Sequence, residues 1–227
     1  MSDPRLLVLD LCLGACMTAV RTPTGDMSEQ VFLERGHQES LAPQVEALLA
    51  RVGLRPIELS RIGVTVGPGS FTGVRVGLAF AKCLASALGI GCVGVSSLEA
   101  LAQDTPQPRG VTIAAIPSRG EQWFCQGFRD GQAVSAPDLG EPGDLIAKWQ
   151  ELLQGEPGVV IGPEAERLVA TLGWGVAIPL AAPTPRSVLD LCAGQPEALA
   201  RPRPLYLRAP DVRAPNPHKR AIQGTHG

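Results

Sequence analysis

Apolar residues fall along the chain in short runs, and the spacing within the runs changes from one stretch to the next. Leu6-Leu7-Val8-Leu9 predicts a buried strand ending at Asp10, and Met17-Thr18-Ala19-Val20 predicts a second, joined to it by a turn holding Gly14. Val31-Phe32-Leu33 predicts a third, so two hairpins in succession open the fold. From Ser40 the period becomes helical: Leu41, Val45, Leu48, Leu49 and Val52 line one face behind a capping serine. The β-branched stretch 62–66 predicts a strand, 74–88 the longest helix and 91–95 another strand, and Ser97 caps a helix over 98–102.

Residues 104–110, D-T-P-Q-P-R-G, have the composition of a connection between domains, and beyond them the pattern restarts. Strands are expected over 111–116 and 122–128, then a helix over 143–153, a strand over 159–161, a helix over 163–172 and a short helix over 187–193. The tail from Arg201 holds five prolines and six Lys or Arg, and disorder is expected after Asp211. The expected division is therefore 1–104, a smaller second domain over 105–200, and a tail over 201–227. Two blocks of strands, each followed by alternating helix and strand, predict a duplicated α/β architecture with the second copy shorter.

Residues 67–73, G-P-G-S-F-T-G, sit where the fourth predicted strand meets the longest helix. They match neither the Walker pattern nor G-x-G-x-x-G. Two readings stand. In one, Gly67, Gly69 and Gly73 with Ser70, Thr72 and Arg75 form an anion seat at a helix N-terminus. In the other, Thr72 caps the helix and the glycines shape a corner. A nucleophile elbow at Ser70 is excluded, because Pro68 and Thr72 stand where its glycines belong. Gly73, Gly77, Ala81 and Ala85 then recur every four residues, a ridge of small side chains that suits close packing on the chain's own sheet or on a partner helix. His37 lacks a second histidine at helical spacing, so no metal pair is expected there.

The 227 residues carry 20 basic and 22 acidic side chains, without the basic footprint of a protein that grips nucleic acid by itself. The N-terminus has too few apolar residues for a secretion signal, no run of apolar residues reaches the roughly 18 of a membrane span, and a cytoplasmic protein is expected. The six cysteines contain no C-x-x-C, and Cys12 and Cys16 are expected to be buried reduced thiols.

The stretch G-P-G-S-F-T-G-V-R-V-G-L-A-F-A-K-C-L-A, followed by I-G-C-V-G-V-S-S-L-E-A-L-A, resembles the bacterial tRNA threonylcarbamoyladenosine biosynthesis proteins of the TsaB (YeaZ) family. L-L-V-L-D-L-C-L-G-A-C-M-T-A-V, G-H-Q-E-S-L-A-P-Q-V-E-A-L-L and P-L-Y-L-R-A-P extend the likeness, which is close over residues 5–104 and loose beyond. The resemblance implies the actin-like, sugar-kinase and heat-shock-ATPase (ASKHA) fold, with two related βββαβαβα domains, the second reduced. It implies a non-catalytic scaffold with no metal and no cofactor of its own, which binds the catalytic paralogue TsaD and the ATPase TsaE and meets tRNA only through that complex. It implies docking through the helices over 40–52 and 74–88, with Gly73, Gly77, Ala81, Ala85, Leu41, Val45 and Leu48 as the seam; an exposed ridge of this kind can self-associate when the partner is absent, which leaves both a homodimer and a monomer open for the free chain. A shared site for ATP or ADP at the complex interface would fall on Gly67, Gly69, Ser70, Thr72, Gly73 and Arg75.

Two departures stand out. Asp10 is followed by Leu11 where the family has threonine, and Pro117 stands where an aspartate is common. The alternative function is an independent small-molecule kinase or ATPase of the same fold, which needs acidic residues in its cleft, with Asp10 as the one placed at a strand end. Asp10→Ala is expected to abolish a kinase, and Gly77→Leu to break a docking protein.

Overall fold

All five residues of β1, Leu6–Asp10, are buried, because LLVLD forms the middle strand of a sheet covered on both faces. The computed structural model of the chain describes residues 5–32, 37–106, 110–155, 158–196 and 202–207. Beside β1 run antiparallel β2 (Ala15–Thr22) and β3 (Gly25–Phe32) on one flank, and parallel β4 (Arg61–Thr65) and β5 (Gly91–Val95) on the other. Helix α1 (His37–Arg51) connects β3 to β4, α2 (Phe71–Leu88) connects β4 to β5, and α3 (Ser97–Gln103) follows β5. The sheet order is β3-β2-β1-β4-β5.

The second half repeats this plan. Strands β6 (Val111–Pro117), β7 (Trp123–Arg129) and β8 (Gln132–Ala133) are followed by β9 (Asp138–Gly140), α4 (Pro142–Leu153), β10 (Val159–Gly162), α5 (Ala165–Leu172), β11 (Val176–Pro179) and α6 (Pro185–Gly194). The order β11-β10-β6-β7-β8 matches the first sheet strand for strand, with β9 added beside β7. This is the duplicated βββαβαβα arrangement of the actin-like class, and in the second copy β8, β10 and β11 are shorter than their counterparts β3, β4 and β5.

The two halves exchange their last helices. Helix α3 packs its Leu98, Leu101 and Ala102 against Ala114, Ile116, Phe128 and Ile161 of the second sheet. Helix α6 returns to the first sheet, where Val188, Leu189 and Cys192 cover Leu6, Val8, Met17 and Val93. Gly63 makes room for it, since a Cβ there would overlap Cys192. On the outer faces, α1 and α2 cover the first sheet while α4 and α5 cover the second. The result is a stack of five layers, with α3 and α6 between two sheets. Asp104 fastens that middle layer: its carboxylate accepts from the Thr184 N–H at 2.7 Å, the Thr184 hydroxyl at 2.6 Å and the Ser187 hydroxyl at 2.7 Å.

The expected division at 104 and 200 is thus corrected, because α6 and residues 202–207 lie on the first half. Leu205 donates its N–H to the Val66 carbonyl at 2.8 Å, and Pro202 packs where Gly94 leaves a gap. Smaller corrections follow from local chemistry. Strand β3 begins at Gly25, because an edge strand tolerates the polar GDMSEQ stretch. Helix α1 begins at His37, α2 at Phe71 and α6 at Pro185, each earlier than its apolar pattern. Strands β8, β9 and β11 lie where the apolar pattern predicts no element. Helix α2 is long and apolar enough, by length and composition, to cross a membrane, contrary to expectation. In this fold it lies on the first sheet, with Gly73, Val74, Gly77, Leu78, Ala81 and Ala85 buried. The tail expectation after Asp211 lies outside the described residues.

Candidate functional site: the cleft between the halves

The G-P-G-S-F-T-G corner is clamped onto the β1–β2 turn. Gly67 and Gly69 adopt φ of 95° and 154°, and a Cβ on Gly69 would overlap the Cys12 carbonyl oxygen. That oxygen accepts the Ser70 N–H at 2.7 Å, while the Gly67 carbonyl accepts the Ser97 N–H at 2.9 Å. Ser70, not Thr72, caps α2, its hydroxyl accepting the Gly73 N–H at 3.2 Å. Likewise Ser96 rather than Ser97 caps α3.

The anion-seat reading is therefore left with few donors. Ser70 and Gly73 spend their N–H groups within the chain, Thr72 is exposed on the helix, and Arg75 is held by two aromatic side chains rather than by the loop. Its guanidinium lies 3.6 Å from the centre of the Phe71 ring, and its Nε donates to the Tyr206 hydroxyl at 3.1 Å. The Phe71 and Tyr206 rings are 5.7 Å apart. No sequence motif announced this cluster, because Tyr206 arrives from a segment read as tail.

Asp10 is 1 % exposed and points into the protein, where its Oδ1 accepts from the Thr65 hydroxyl and from the Cys12 N–H at 2.9 Å. Burial raises its pKa above the ordinary carboxylate value, against those hydrogen bonds. The neighbouring Cys12 thiol is pushed up to about 12, by burial first and by Asp10 second. Cys12 and Cys16 are both buried free thiols.

Between the halves lies a cavity of about 1120 Å³, walled by apolar side chains that include Leu13 and Val74 on one side and Ile116, Phe124 and Leu180 on the other. Leu205, Tyr206 and Leu207 complete one wall. A magnesium nucleotide, which the fold class implies for this cleft, does not fit these residues. Glu164 is the one carboxylate among the lining residues, Asp10 is spent inside the sheet, and the loop donors are used internally. Among the described residues no group of three His, Cys, Asp or Glu could hold a metal ion.

The expected docking seam is also corrected. A Cβ on Gly73 would overlap the Leu11 carbonyl, and Gly77 faces Leu11 and Val64. Ala81, Ala85, Leu41, Val45 and Leu48 are all buried in the same core. The ridge of small residues lets α2 approach the chain's own β1 and β4, so none of the seven residues forms an outer surface.

Duplicated sheets, exchanged helices and a cleft between the halves define a protein of the actin-like fold. Residues 31–174, more than half of the chain, match the family model "TsaD: tRNA N6-adenosine threonylcarbamoyltransferase". An uncharacterized Mycobacterium leprae protein is 32% identical over 82% of this chain and 49% of its own length. The tRNA threonylcarbamoyladenosine biosynthesis protein TsaB of Escherichia coli K12 is 31% identical over 57% of this chain and 58% of its own. A Pseudomonas aeruginosa protein described as similar to peptidase YeaZ superposes with a TM-score of 0.75 at 25% identity, over 92% of this chain and all of that one. The chain belongs to this family and is a TsaB/YeaZ-like member of it. It spans 49% of the length of the Mycobacterium leprae relative and 58% of the Escherichia coli one, and 82% of an uncharacterized Mycobacterium tuberculosis relative at 34% identity.

Proposed function

We propose that the chain is a non-catalytic subunit in N6-threonylcarbamoyladenosine formation on tRNA. It docks on TsaD, works with the ATPase TsaE, and meets tRNA only through that complex. The observation that carries this reading is the outward face of α2. Arg75 and Lys82 are the only charges on its 18 residues, and Thr72, Ala79, Cys83 and Ala87 are exposed along its length. A solvent-facing helix of small, uncharged side chains suits close approach by another helix. Ala42 and Ala50 of α1, also exposed, extend the same character. Without TsaD the same face pairs with a second copy, and the protein works in the cytoplasm.

The kinase alternative has no observation in its favour, since Asp10 is sealed beneath Thr65 and Cys12. The test uses purified TsaD, TsaE, tRNA and threonylcarbamoyl-adenylate, with modified adenosine counted in the presence of wild type, Ala79→Glu and Cys83→Glu. Wild type supports modification and co-elutes with TsaD, whereas both variants fold normally, lose co-elution and support at most about a tenth of the product, the loss expected of a charge buried in an interface. Modification that proceeds without the chain, or variants that co-elute as wild type does, would sink the reading. Gly77→Leu is unsuitable here, because it would break the chain's own packing.

A further inference from the structure

The cleft that does not suit a magnesium nucleotide is still a well-formed concavity, and its chemistry points elsewhere. Ligand sites are mostly apolar hollows with a few fixed polar groups. Here the apolar part is the wall made by Leu13, Ile116, Phe124, Leu180, Leu205 and Leu207. The fixed polar group is Arg75. Its guanidinium is held flat on Phe71 and tethered through Nε to Tyr206, and its two terminal nitrogens take no partner among the described residues. A guanidinium held in this way binds two oxygens of a carboxylate or sulfonate through two parallel hydrogen bonds with less ordering cost than a mobile one.

Residues 202–207 build this arrangement. The Leu205 N–H is fixed on the Val66 carbonyl at 2.8 Å, and Gly94 admits Pro202, which places Tyr206 against Arg75 and turns Leu205 and Leu207 to the cavity. The glycine corner contributes as well. A Cβ on Gly67 would come 3.2 Å from Val74 and 3.5 Å from the Leu205 carbonyl, so the corner leaves little spare room between the helix and this segment.

We infer that the cleft is a binding site for a small amphipathic monoanion, an apolar body carrying one carboxylate or sulfonate, with Arg75 as the anion anchor and residues 205–207 as one wall. The one carboxylate among the lining residues, Glu164, is paired with Arg167 at 2.8 Å, so the guanidinium of Arg75 is left to meet a negative charge on the ligand. Arg75 borders both this site and the outward face of α2 proposed for TsaD, but the cavity wall at Ala181 and Leu205 lies off that face and Ala79 and Cys83 lie outside the cavity, so variants at those positions let either proposal fail without the other.

The test uses two fluorescent probes with the same apolar body, 8-anilinonaphthalene-1-sulfonate and the uncharged N-phenyl-1-naphthylamine, on the full chain. The sulfonate is expected to bind at one per chain, at least tenfold more tightly than the neutral probe. Arg75→Gln should weaken the sulfonate about tenfold and leave the neutral probe unchanged. Ala181→Trp, which fills the cavity from an exposed lining position, should abolish both while the melting temperature stays at the wild-type value. Leu205→Pro, which removes the N–H bound to Val66, should weaken both. Magnesium ATP at millimolar concentration should displace neither. Equal binding of the two probes, insensitivity to Arg75→Gln or to Ala181→Trp, or displacement by magnesium ATP would each overturn the inference.

Discussion

Replacing Gly73 and Gly77 one at a time by alanine asks whether α2 rests on the β1–β2 turn as described. The two glycines are one helical turn apart on the same face, so a generic effect of alanine in a helix would act on both alike. Alanine is favoured over glycine in a helix interior by about 0.5 to 1 kcal/mol. At Gly77 the new methyl would meet Leu11 Cδ1 at 3.4 Å and Val64 Cγ2 at 3.5 Å, ordinary contact that leaves the propensity gain intact. At Gly73 it would overlap the Leu11 carbonyl oxygen, a backbone atom with no rotamer to escape into. The helix start must then lift away, at about 1 to 3 kcal/mol for overpacking and about 1 kcal/mol for the Ser70 to Cys12 hydrogen bond. Subtracting the propensity gain leaves a net loss of about 1 to 3.5 kcal/mol. For a chain of this size each kcal/mol moves the melting temperature by about 2 to 4 °C. Thermal unfolding followed by circular dichroism should therefore show Gly73→Ala melting about 2 to 14 °C below wild type, and Gly77→Ala about 1 to 4 °C above it. Two variants that shift in the same direction by similar amounts would refute the packing of α2 on that turn.

Three further outcomes follow from buried and exposed polar groups. Asp10 has its pKa raised in the folded state, so protonated Asp10 favours folding, and that contribution fades as pH rises from about 4 toward the raised value. Asp10→Asn should therefore gain stability relative to wild type across that window, and parallel melting curves from pH 4 to 8 for the two proteins would contradict this. Cys83 is the exposed thiol, whereas burial pushes Cys12 and Cys192 up to about 12 and Cys92 to about 11. Mass spectrometry after brief iodoacetamide treatment should find Cys83 modified first and protected by bound TsaD, and earlier labelling of Cys12 would count against the burial. Asp104→Ala deletes three hydrogen bonds between α3 and α6, a loss on the order of 3 kcal/mol that urea unfolding should register and that Asp104→Asn should partly restore.

Much of the fold is legible because local pattern and tertiary position agree. The run LLVLD has no polar position before its last residue, as a strand buried on both faces requires, and the parallel strands β4, after Arg61, and β5 are apolar or glycine up to Thr65 and Val95. Strand β3 hid because its outer edge imposes no apolar alternation on GDMSEQ, and β8 and β9 are too short to show a period. The glycine and alanine ridge was visible, but its direction was not, since spacing by four serves a sheet below as well as a helix above. The Phe71, Arg75 and Tyr206 cluster joins residues more than 130 positions apart, and R-P-R-P-L-Y-L has the composition of a solvated tail. The corner G-P-G-S-F-T-G was legible as a site of close approach, yet what approaches it is the chain itself.

The helix exchange has a consequence for synthesis on the ribosome. When residue 106 has been made, all five strands of the first sheet exist, but the face bearing Leu6, Val8, Met17 and Val93 has no cover until Val188, Leu189 and Cys192 emerge. At 5 to 20 residues per second, the roughly ninety residues between them take about 5 to 20 s. During that interval the nascent chain presents an apolar sheet face, so the first half is a substrate for chaperones before it is a domain, and a stop codon anywhere before α6 leaves it permanently in that state.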